Sequence, residues 1–335
     1  MKAVGLYKYL PIDHPEALLD LEVEEPGPAG RDLLVEVKAV SVNPVDTKRR
    51  APKPGSSGTV ETTPKILGWD AAGVVRSAGR DCVLFKPGDE VYYAGSVIRQ
   101  GSNSQFQLVD ERIVGRKPAS MNFAQAAAMP LTTLTAWELM FDRMGISLAG
   151  AQAGRSMLIL GGAGGVGSIA IQLAKKLAKL KVTASASRVE SIDWCKQLGA
   201  DQVVDHRQPI EGEYDFVLCL SSTDAYWNSF PKITKPQGKI GLIVRTTRPV
   251  DLQILHDKSI TTCLEGMFTR STFQTADMEA QHALLDEVAG LIEAGVVIGT
   301  LKQNLGTINA ANLRRAHQLL EEGHVTGKLV LEGWA

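Results

Sequence analysis

At 335 residues, with 22% charged and 44% hydrophobic residues and a net charge of −1, the chain has a globular balance and the length for two domains that each bury a core. The near-neutral charge gives no electrostatic ground for a nucleic-acid partner or an anionic membrane surface, and no run approaches the ~18 apolar residues of a membrane span. The opening residues, Met1-Lys2-Ala3-Val4-Gly5-Leu6-Tyr7-Lys8, alternate like a strand and lack a signal-peptide apolar core, so a soluble cytoplasmic protein is expected.

Residues 1 to about 45 read as short strands. Val35, Val37 and Val40 fall in a half-buried alternation after the turn Pro26-Gly27-Pro28-Ala29-Gly30. Pro44 then ends the ladder, and from Arg49 to Pro64 the prolines, glycines and serines predict a long loop, read as a lid. Gly68-Trp69-Asp70-Ala71-Ala72-Gly73-Val74-Val75 and Lys86-Pro87-Gly88-Asp89-Glu90-Val91-Tyr92 return to strand and turn character. Many short strands with Gly/Pro turns and no long helix predict a small barrel-like domain. Helical character begins near Phe123, is broken by Pro130, and resumes from Thr135 to Met144. The cysteines Cys82, Cys195, Cys219 and Cys263 are far apart, with no C-x-x-C pair and no histidine at ligand spacing. They read as small core side chains rather than a disulfide framework or a structural zinc site.

From Met157 onward buried-type strands alternate with helices. Strands are predicted at 157–160, 182–186, 202–204, 216–220, 239–244 and 260–264, with helices at 166–180 and 189–198. Six such strands with right-handed crossovers make an α/β, doubly wound parallel sheet. The tail predicts a helix at 277–293, a strand near 301, a helix at 310–322 and a strand at 328–331.

The most informative stretch joins the first strand and helix of that sheet. Gly162, Gly164 and Gly167 satisfy G-x-G-x-x-G between a buried strand and a helix whose apolar face is Val166, Ala170, Leu173, Leu177 and Leu180. In that context the first glycine permits a tight turn, the second lets a pyrophosphate approach the backbone, and the third brings helix and strand together. Free N–H groups at the helix start, around Gly165 and Val166, then face the diphosphate. No Lys precedes Ser168, which excludes a nucleoside-triphosphatase phosphate loop. A methyltransferase turn remains open.

An NAD site carries Asp or Glu at the end of the second strand to bind the ribose 2′-OH. Here that strand ends Ala184-Ser185-Ala186-Ser187-Arg188-Val189-Glu190, and the first acid lies inside the next helix. Ser187 and Glu190 fit a capping box. Arg188 is placed to pair a 2′-phosphate, which favours NADPH (NADP) as the cofactor.

These features together resemble the medium-chain dehydrogenase/reductase superfamily, in its zinc-free, quinone-oxidoreductase-like branch, over essentially the whole chain. Its carriers are Val42-Asn43-Pro44-Val45-Asp46, Gly68-Trp69-Asp70-Ala71-Ala72-Gly73-Val74, Lys86-Pro87-Gly88-Asp89-Glu90-Val91, Pro130-Leu131-Thr132-Thr133-Leu134-Thr135-Ala136-Trp137, the glycine turn and Gly327-Lys328-Leu329-Val330-Leu331. The resemblance implies a Rossmann domain (126–268) inserted into a GroES-like β-barrel domain (1–125 and 269–335), with the cofactor in the cleft between them. A subgroup of similar proteins is labelled zinc-binding alcohol dehydrogenase. In zinc alcohol dehydrogenases, however, a Cys matches Asn43 and a His matches Trp69, and the four-cysteine structural zinc loop has no counterpart here. No metal is therefore expected.

Without a metal the resemblance implies hydride transfer from NADPH to a small-molecule quinone or α,β-unsaturated carbonyl. It also implies roles for particular residues. Asn43 is the first candidate for a polar contact near the nicotinamide or substrate, with an Asx-turn role as the alternative. Thr133 lies by the nicotinamide or caps a helix. Trp69 lines the substrate pocket or packs in the core. His206 helps hold the phosphate or is merely exposed, and Lys328 reaches the cofactor or flanks a strand at the surface. Where relatives often carry a Tyr, this chain has Lys48 and Arg49. A homodimer is expected through the edge strand near Ile260. Two further readings stay open, a zinc-type alcohol dehydrogenase and a non-catalytic NADPH-binding sensor or structural protein.

Overall fold

The computed structural model describes residues 1–52 and 59–334, which divide into two compact units, 1–131 with 268–335 and 132–267. The sequence expectation drew the first boundary six residues earlier, at 126. The first unit opens with β1 (Lys2–Lys8), β2 (Leu19–Glu22) and β3 (Asp32–Val42). In β3 Val35, Val37 and Val40, the residues that predicted it, are all buried, but Leu33, Leu34, Ala39 and Val42 are buried as well, so the strand is covered more fully than the predicted half-buried alternation. Asn43 is extended (φ −130°, ψ 159°), and with Pro44 at the first helical position the chain turns directly into α1 (Pro44–Arg50).

Strand β4 (Val60–Ile66) follows. The predicted loop over 49–64 is therefore wrong at both ends: its start is helix and its end is strand, and residues 53–58 lie outside the described part. Pro64 is tolerated in β4 because, among the described residues, the strand pairs only with β1, at the edge of a sheet ordered β2-β1-β4. Next come β5 (Ala71–Ala78), β6 (Glu90–Tyr93), β7 (Phe106–Asp110), β8 (Val114–Arg116) and the short helix α2 (Phe123–Ala127). Strands β3 and β5 pair so closely that a Cβ on Gly73 would lie 2.2 Å from the Glu36 carbonyl oxygen. Pro130 does more than break helical character: it begins α3 (Pro130–Trp137), which runs on into a π-helical turn over Glu138–Arg143.

The second unit holds β9 (Ser156–Leu160), α4 (Gly165–Lys176), β10 (Lys181–Ser185), α5 (Val189–Gln197), β11 (Gln202–Val204), β12 (Tyr214–Cys219), α6 (Thr223–Tyr226), α7 (Phe230–Ile233), β13 (Thr234–Leu242) and β14 (Thr261–Leu264). Its strands form one parallel sheet, β11-β10-β9-β12-β13-β14, the doubly wound order in which direction reverses beside β9. Helix α4 stops earlier than the predicted 180. Lys179 adopts φ +57°, which no helix continues, and Lys175 and Lys176 sit in the last turn, where the dipole favours cations. Leu158, Leu160, Val217, Phe230 and Ile240 make a dry core on one face of the sheet, each contributing roughly 1.5–3 kcal/mol by burial.

The chain then returns to the first unit through α8 (Thr269–Phe273), α9 (Ala280–Glu293), β15 (Leu301–Asn304), α10 (Ala310–Glu321) and β16 (Lys328–Glu332). Strand β16 pairs antiparallel with β3, aligning Leu329 with Val42, so the chain's last strand lies beside the start of α1. The larger sheet runs β15-β16-β3-β5-β6-β8, with β7 also on β3. Among the described residues no helix is long and apolar enough to cross a membrane.

Leu158 sits at the centre of β9 with no exposed surface. Leu158→Ala is expected to destabilise by about 2–5 kcal/mol, read as a lower urea midpoint at unchanged slope.

Candidate functional site

The glycine turn of the second unit is built by three different steric demands. Gly161 holds φ +86°, so the tight turn falls one residue before the predicted Gly162. A Cβ on Gly162 would come within 2.7 Å of the Ala184 Cβ, and one on Gly167 within 2.4 Å of the Gly161 carbonyl oxygen. These two are glycines because backbone and strand pack against them. Gly164 differs: an added Cβ would meet only the Gly161 oxygen, at 3.6 Å. Nothing inside the fold requires glycine there, and a bare, half-buried backbone faces outward at the N-cap of α4. The N–H groups of Gly165, Val166 and Gly167 have no acceptor within the helix, which makes the turn an anion cradle. Ser168 locks it, donating to the Gly164 carbonyl (2.8 Å) and accepting from Trp194 Nε1 (2.8 Å) on α5.

The turn is also tied to the end of β10. Gly161 N–H donates to Ser185 Oγ (2.9 Å) and Gly162 N–H to Ser185 O (3.1 Å). Two residues on, the expected capping box fails: the N-cap of α5 is Arg188, with no side-chain cap, so Ser187 lies outside the helix. Ser187 is half-buried, and Arg188 and His206 are exposed. The side chain that does bond here is Arg207, which sequence reasoning missed. Its Nη2 donates to the Ser187 carbonyl (3.2 Å), while Nε and Nη2 grip Asp205. Those hydrogen bonds pull the Asp205 carboxyl down to about 2.

In the first unit the β3–α1 corner, the start of β5 and the start of β16 converge on a buried polar cluster. Lys328 is 3% exposed, so it is not a surface lysine. Its Nζ donates to Val42 O (3.1 Å), to Asn43 Oδ1 and to Asp70, 3.0 Å from Oδ2, which uses all three of its hydrogens. Asn43, 1% exposed, donates through Nδ2 to Asp70 Oδ2 (2.9 Å) and more weakly to Trp69 O (3.4 Å) and Ser41 O (3.5 Å). The residue expected to offer a hydrogen bond to substrate thus directs its amide into the cluster. It positions Asp70 and Lys328.

Asp70 Oδ1 accepts the Leu131 N–H (2.9 Å) in the first turn of α3, so one carboxylate holds both the C-terminal strand and a helix start. Asp46 accepts the Asn43 N–H (2.7 Å). Burial pushes the Asp46 carboxyl up to about 7, against that hydrogen bond and the attraction of Lys328. Burial also raises Asp70, opposed first by Lys328. The roles of Asp46 and Asp70 went unassigned, although both stand inside the two motifs that carry the resemblance.

Trp69 is buried, donates Nε1–H to Ser96 O (3.1 Å) and stacks edge-on against Phe268. Arg49 lies over its ring at 5.8 Å, a cation on the face of the indole. Thr133, in α3 and fully enclosed, has a hydroxyl with no hydrogen-bond partner among the described residues. Among those residues no three His, Cys, Asp or Glu side chains are grouped to hold a metal ion.

Comparison with known proteins bears on these features. Residues 29–136 match the model of the alcohol dehydrogenase GroES-like domain and residues 198–331 that of a zinc-binding dehydrogenase domain. A zinc-type alcohol dehydrogenase-like protein of Staphylococcus aureus is 41% identical over 99% of both chains. A 2-methylene-furan-3-one reductase of Solanum lycopersicum is 38% identical over 93% of this chain and 74% of its own. The solved quinone oxidoreductase of Escherichia coli, complexed with NADPH, superposes with a TM-score of 0.81 at 25% identity, covering 99% of this chain and 100% of the other.

The polar cluster makes a prediction about pH. Asp46 has a folded pKa above its unfolded one, so the unfolded state releases its proton first as pH rises. Its contribution to stability is fully present below about pH 4, declines up to about pH 7 and is flat beyond. Asp46→Asn keeps an acceptor for the Asn43 N–H and is expected to flatten that part of the stability–pH curve, measured by urea unfolding at a series of pH values. Lys328→Met leaves Asp70 buried without its cation and is expected to cost about 3–5 kcal/mol at neutral pH. Asp70→Asn in the same chain should recover part of that loss.

Proposed function

Because the chain is an oxidoreductase that belongs to the medium-chain dehydrogenase/reductase superfamily, in its zinc-type alcohol dehydrogenase-like branch, we propose that it is a zinc-independent, NADPH-dependent reductase. Its substrates in this reading are quinones or carbon–carbon double bonds conjugated to a carbonyl. The observation that carries the reading is the Lys328 ammonium lodged between Asn43 and Asp70. Zinc needs three or four N, S or O ligands in fixed geometry. By the resemblance the ligand positions are Asn43 and Trp69, where one amide is committed to Asp70 and the other side chain is an indole with no lone pair to give. A lysine cation beside them supplies the positive charge that balances the buried carboxylate. Zinc does not fit this donor set.

A dinucleotide does fit. The unpacked Gly164 and the N–H groups of Gly165, Val166 and Gly167 suit a pyrophosphate. Arg188, exposed at the end of β10 with no carboxylate on that strand end, suits a 2′-phosphate. When bound, NADPH supplies a hydride. The chain's own task is then to receive the negative charge that develops on the substrate oxygen, which calls for a placed donor rather than a strong acid. With the amide of Asn43 committed, that role goes in this reading to the hydroxyl of Thr133, which has no partner among the described residues and which the residues enclosing it must uncover when substrate binds. The nicotinamide-dependent quinone oxidoreductase and the methylene-furanone reductase among the relatives support the substrate class. The subunits pair through β14, an edge strand bonded only to β13 whose Leu264 is 70% exposed.

Purified protein is expected to oxidise NADPH with at least one member of a quinone and enone panel. Turnover should survive chelation, and elemental analysis should find no stoichiometric zinc; zinc that tracks with activity overturns the zinc-independent reading. Thr133→Val removes only an unpaired hydroxyl, so stability should hold or rise while kcat falls about 100-fold. Gly164→Ala should leave the thermal midpoint unchanged yet weaken NADPH binding about tenfold, whereas Gly167→Ala should destabilise the fold. Leu264→Asp is expected to shift sedimentation from dimer to monomer.

A further inference from the structure

The end of β11 carries a feature that the cofactor reading above does not use. Ala186 N–H donates to Val204 O (3.0 Å), which sets the ends of β10 and β11 side by side. Asp205 follows at once. Its carboxylate accepts Arg207 Nε on both oxygens (3.0 Å each), Arg207 Nη2 on Oδ2 (2.6 Å) and the Arg207 backbone N–H on Oδ1 (3.0 Å). Arg207 Nη2 also reaches the Ser187 carbonyl. Ser187 stands two residues beyond Ser185, which holds the glycine turn. A continuous run of bonds therefore links the anion cradle to the Asp205–Arg207 pair. Nη1 of Arg207 and the whole guanidinium of Arg188 have no partner among the described residues, and both side chains are exposed. His206 and Glu190 are the other titratable side chains on these strand and helix ends, and both are exposed as well.

We propose that Asp205 and Arg207 form a masked pair that sets the choice between the two nicotinamide dinucleotides. Arg207 offers its free Nη1 to a 2′-phosphate next to Arg188. By holding Asp205, it also keeps that carboxylate from accepting the hydroxyls of an unphosphorylated ribose. A site selective for NADH carries its carboxylate at the end of the second strand; β10 has none, and Asp205 stands at the adjoining end of β11, beside Ala186. Here the carboxylate is present but occupied. The proposal rests on the NADPH reading and adds that a latent NADH site lies beneath it.

The test is direct binding of NADPH and NADH to the full chain, followed by tryptophan fluorescence and calorimetry, for wild type, Arg207→Ala, Asp205→Asn and the double variant. Arg207 is exposed and Asp205 half-buried at the end of a strand, so the thermal midpoints should stay close to that of the wild type. Arg207→Ala is expected to weaken NADPH about tenfold and tighten NADH several-fold. The double variant should show the same loss for NADPH with no gain for NADH, because the gain needs the freed carboxylate. An unchanged NADPH-to-NADH ratio in Arg207→Ala overturns the proposal, as does a loss of NADPH with no gain of NADH. A wild type indifferent between the two cofactors overturns the NADPH reading itself, an outcome distinct from a preference that survives Arg207→Ala.

Discussion

A lysine ammonium and an aspartate buried in the first unit hold together the parts of the chain on which that unit depends. Lys328 opens the last strand, Asp70 precedes β5, and Asn43 stands where β3 becomes α1. Buried charges lose hydration worth several kcal/mol each, and the pair survives because its remaining hydrogen-bonding capacity is also met. Val42 O and Asn43 Oδ1 take the other lysine hydrogens, and the Leu131 N–H takes the second carboxylate oxygen. The cost of breaking any one bond is therefore spread over four segments, and the geometry of the first turn of α3 follows from it.

That arrangement also separates two meanings of the family's zinc label. The label describes ancestry, which the GroES-like and dehydrogenase matches establish. The donor set describes chemistry. The Asn43 amide and the Lys328 ammonium make a self-neutralising hydrogen-bond cluster with Asp70, while the Trp69 indole donates to the Ser96 carbonyl.

The second unit works by a different constraint, the close approach of backbone to backbone. Gly162 and Gly167 are fixed by what already packs on them, and Gly164 by what has room to come. Ser185 and Ser168 then anchor the turn to β10 and α5. Rigid anchoring means that the N–H groups are aimed before any ligand arrives, so little ordering entropy is lost when an anion binds.

Much of this was legible in the residues because its causes are local. The parallel sheet followed from apolar runs, and the cradle from glycine spacing between a strand and a helix; in both, the residues that matter are neighbours in sequence. The errors fell where a distant or conformational partner decides. The Ser187 capping box satisfied a four-residue pattern, but Ser187 stands before the helix start, with its carbonyl taken by Arg207. Residues 49–64 have loop composition, yet pairing with β1 draws their end into a strand.

Lys328 and Asn43 are 285 residues apart, and no local pattern reveals that the antiparallel pairing of β16 with β3 brings them into contact. The sequence alone determined the fold class, the cradle and the absence of a ribose carboxylate on β10, since each depends on short-range sterics and periodicity. Only the tertiary structure decided that Asn43 and Lys328 bond each other, and that Arg207 occupies Asp205. Those outcomes depend on which side chains meet in a desolvated interior or at adjoining strand ends, and that is a property of the packed chain.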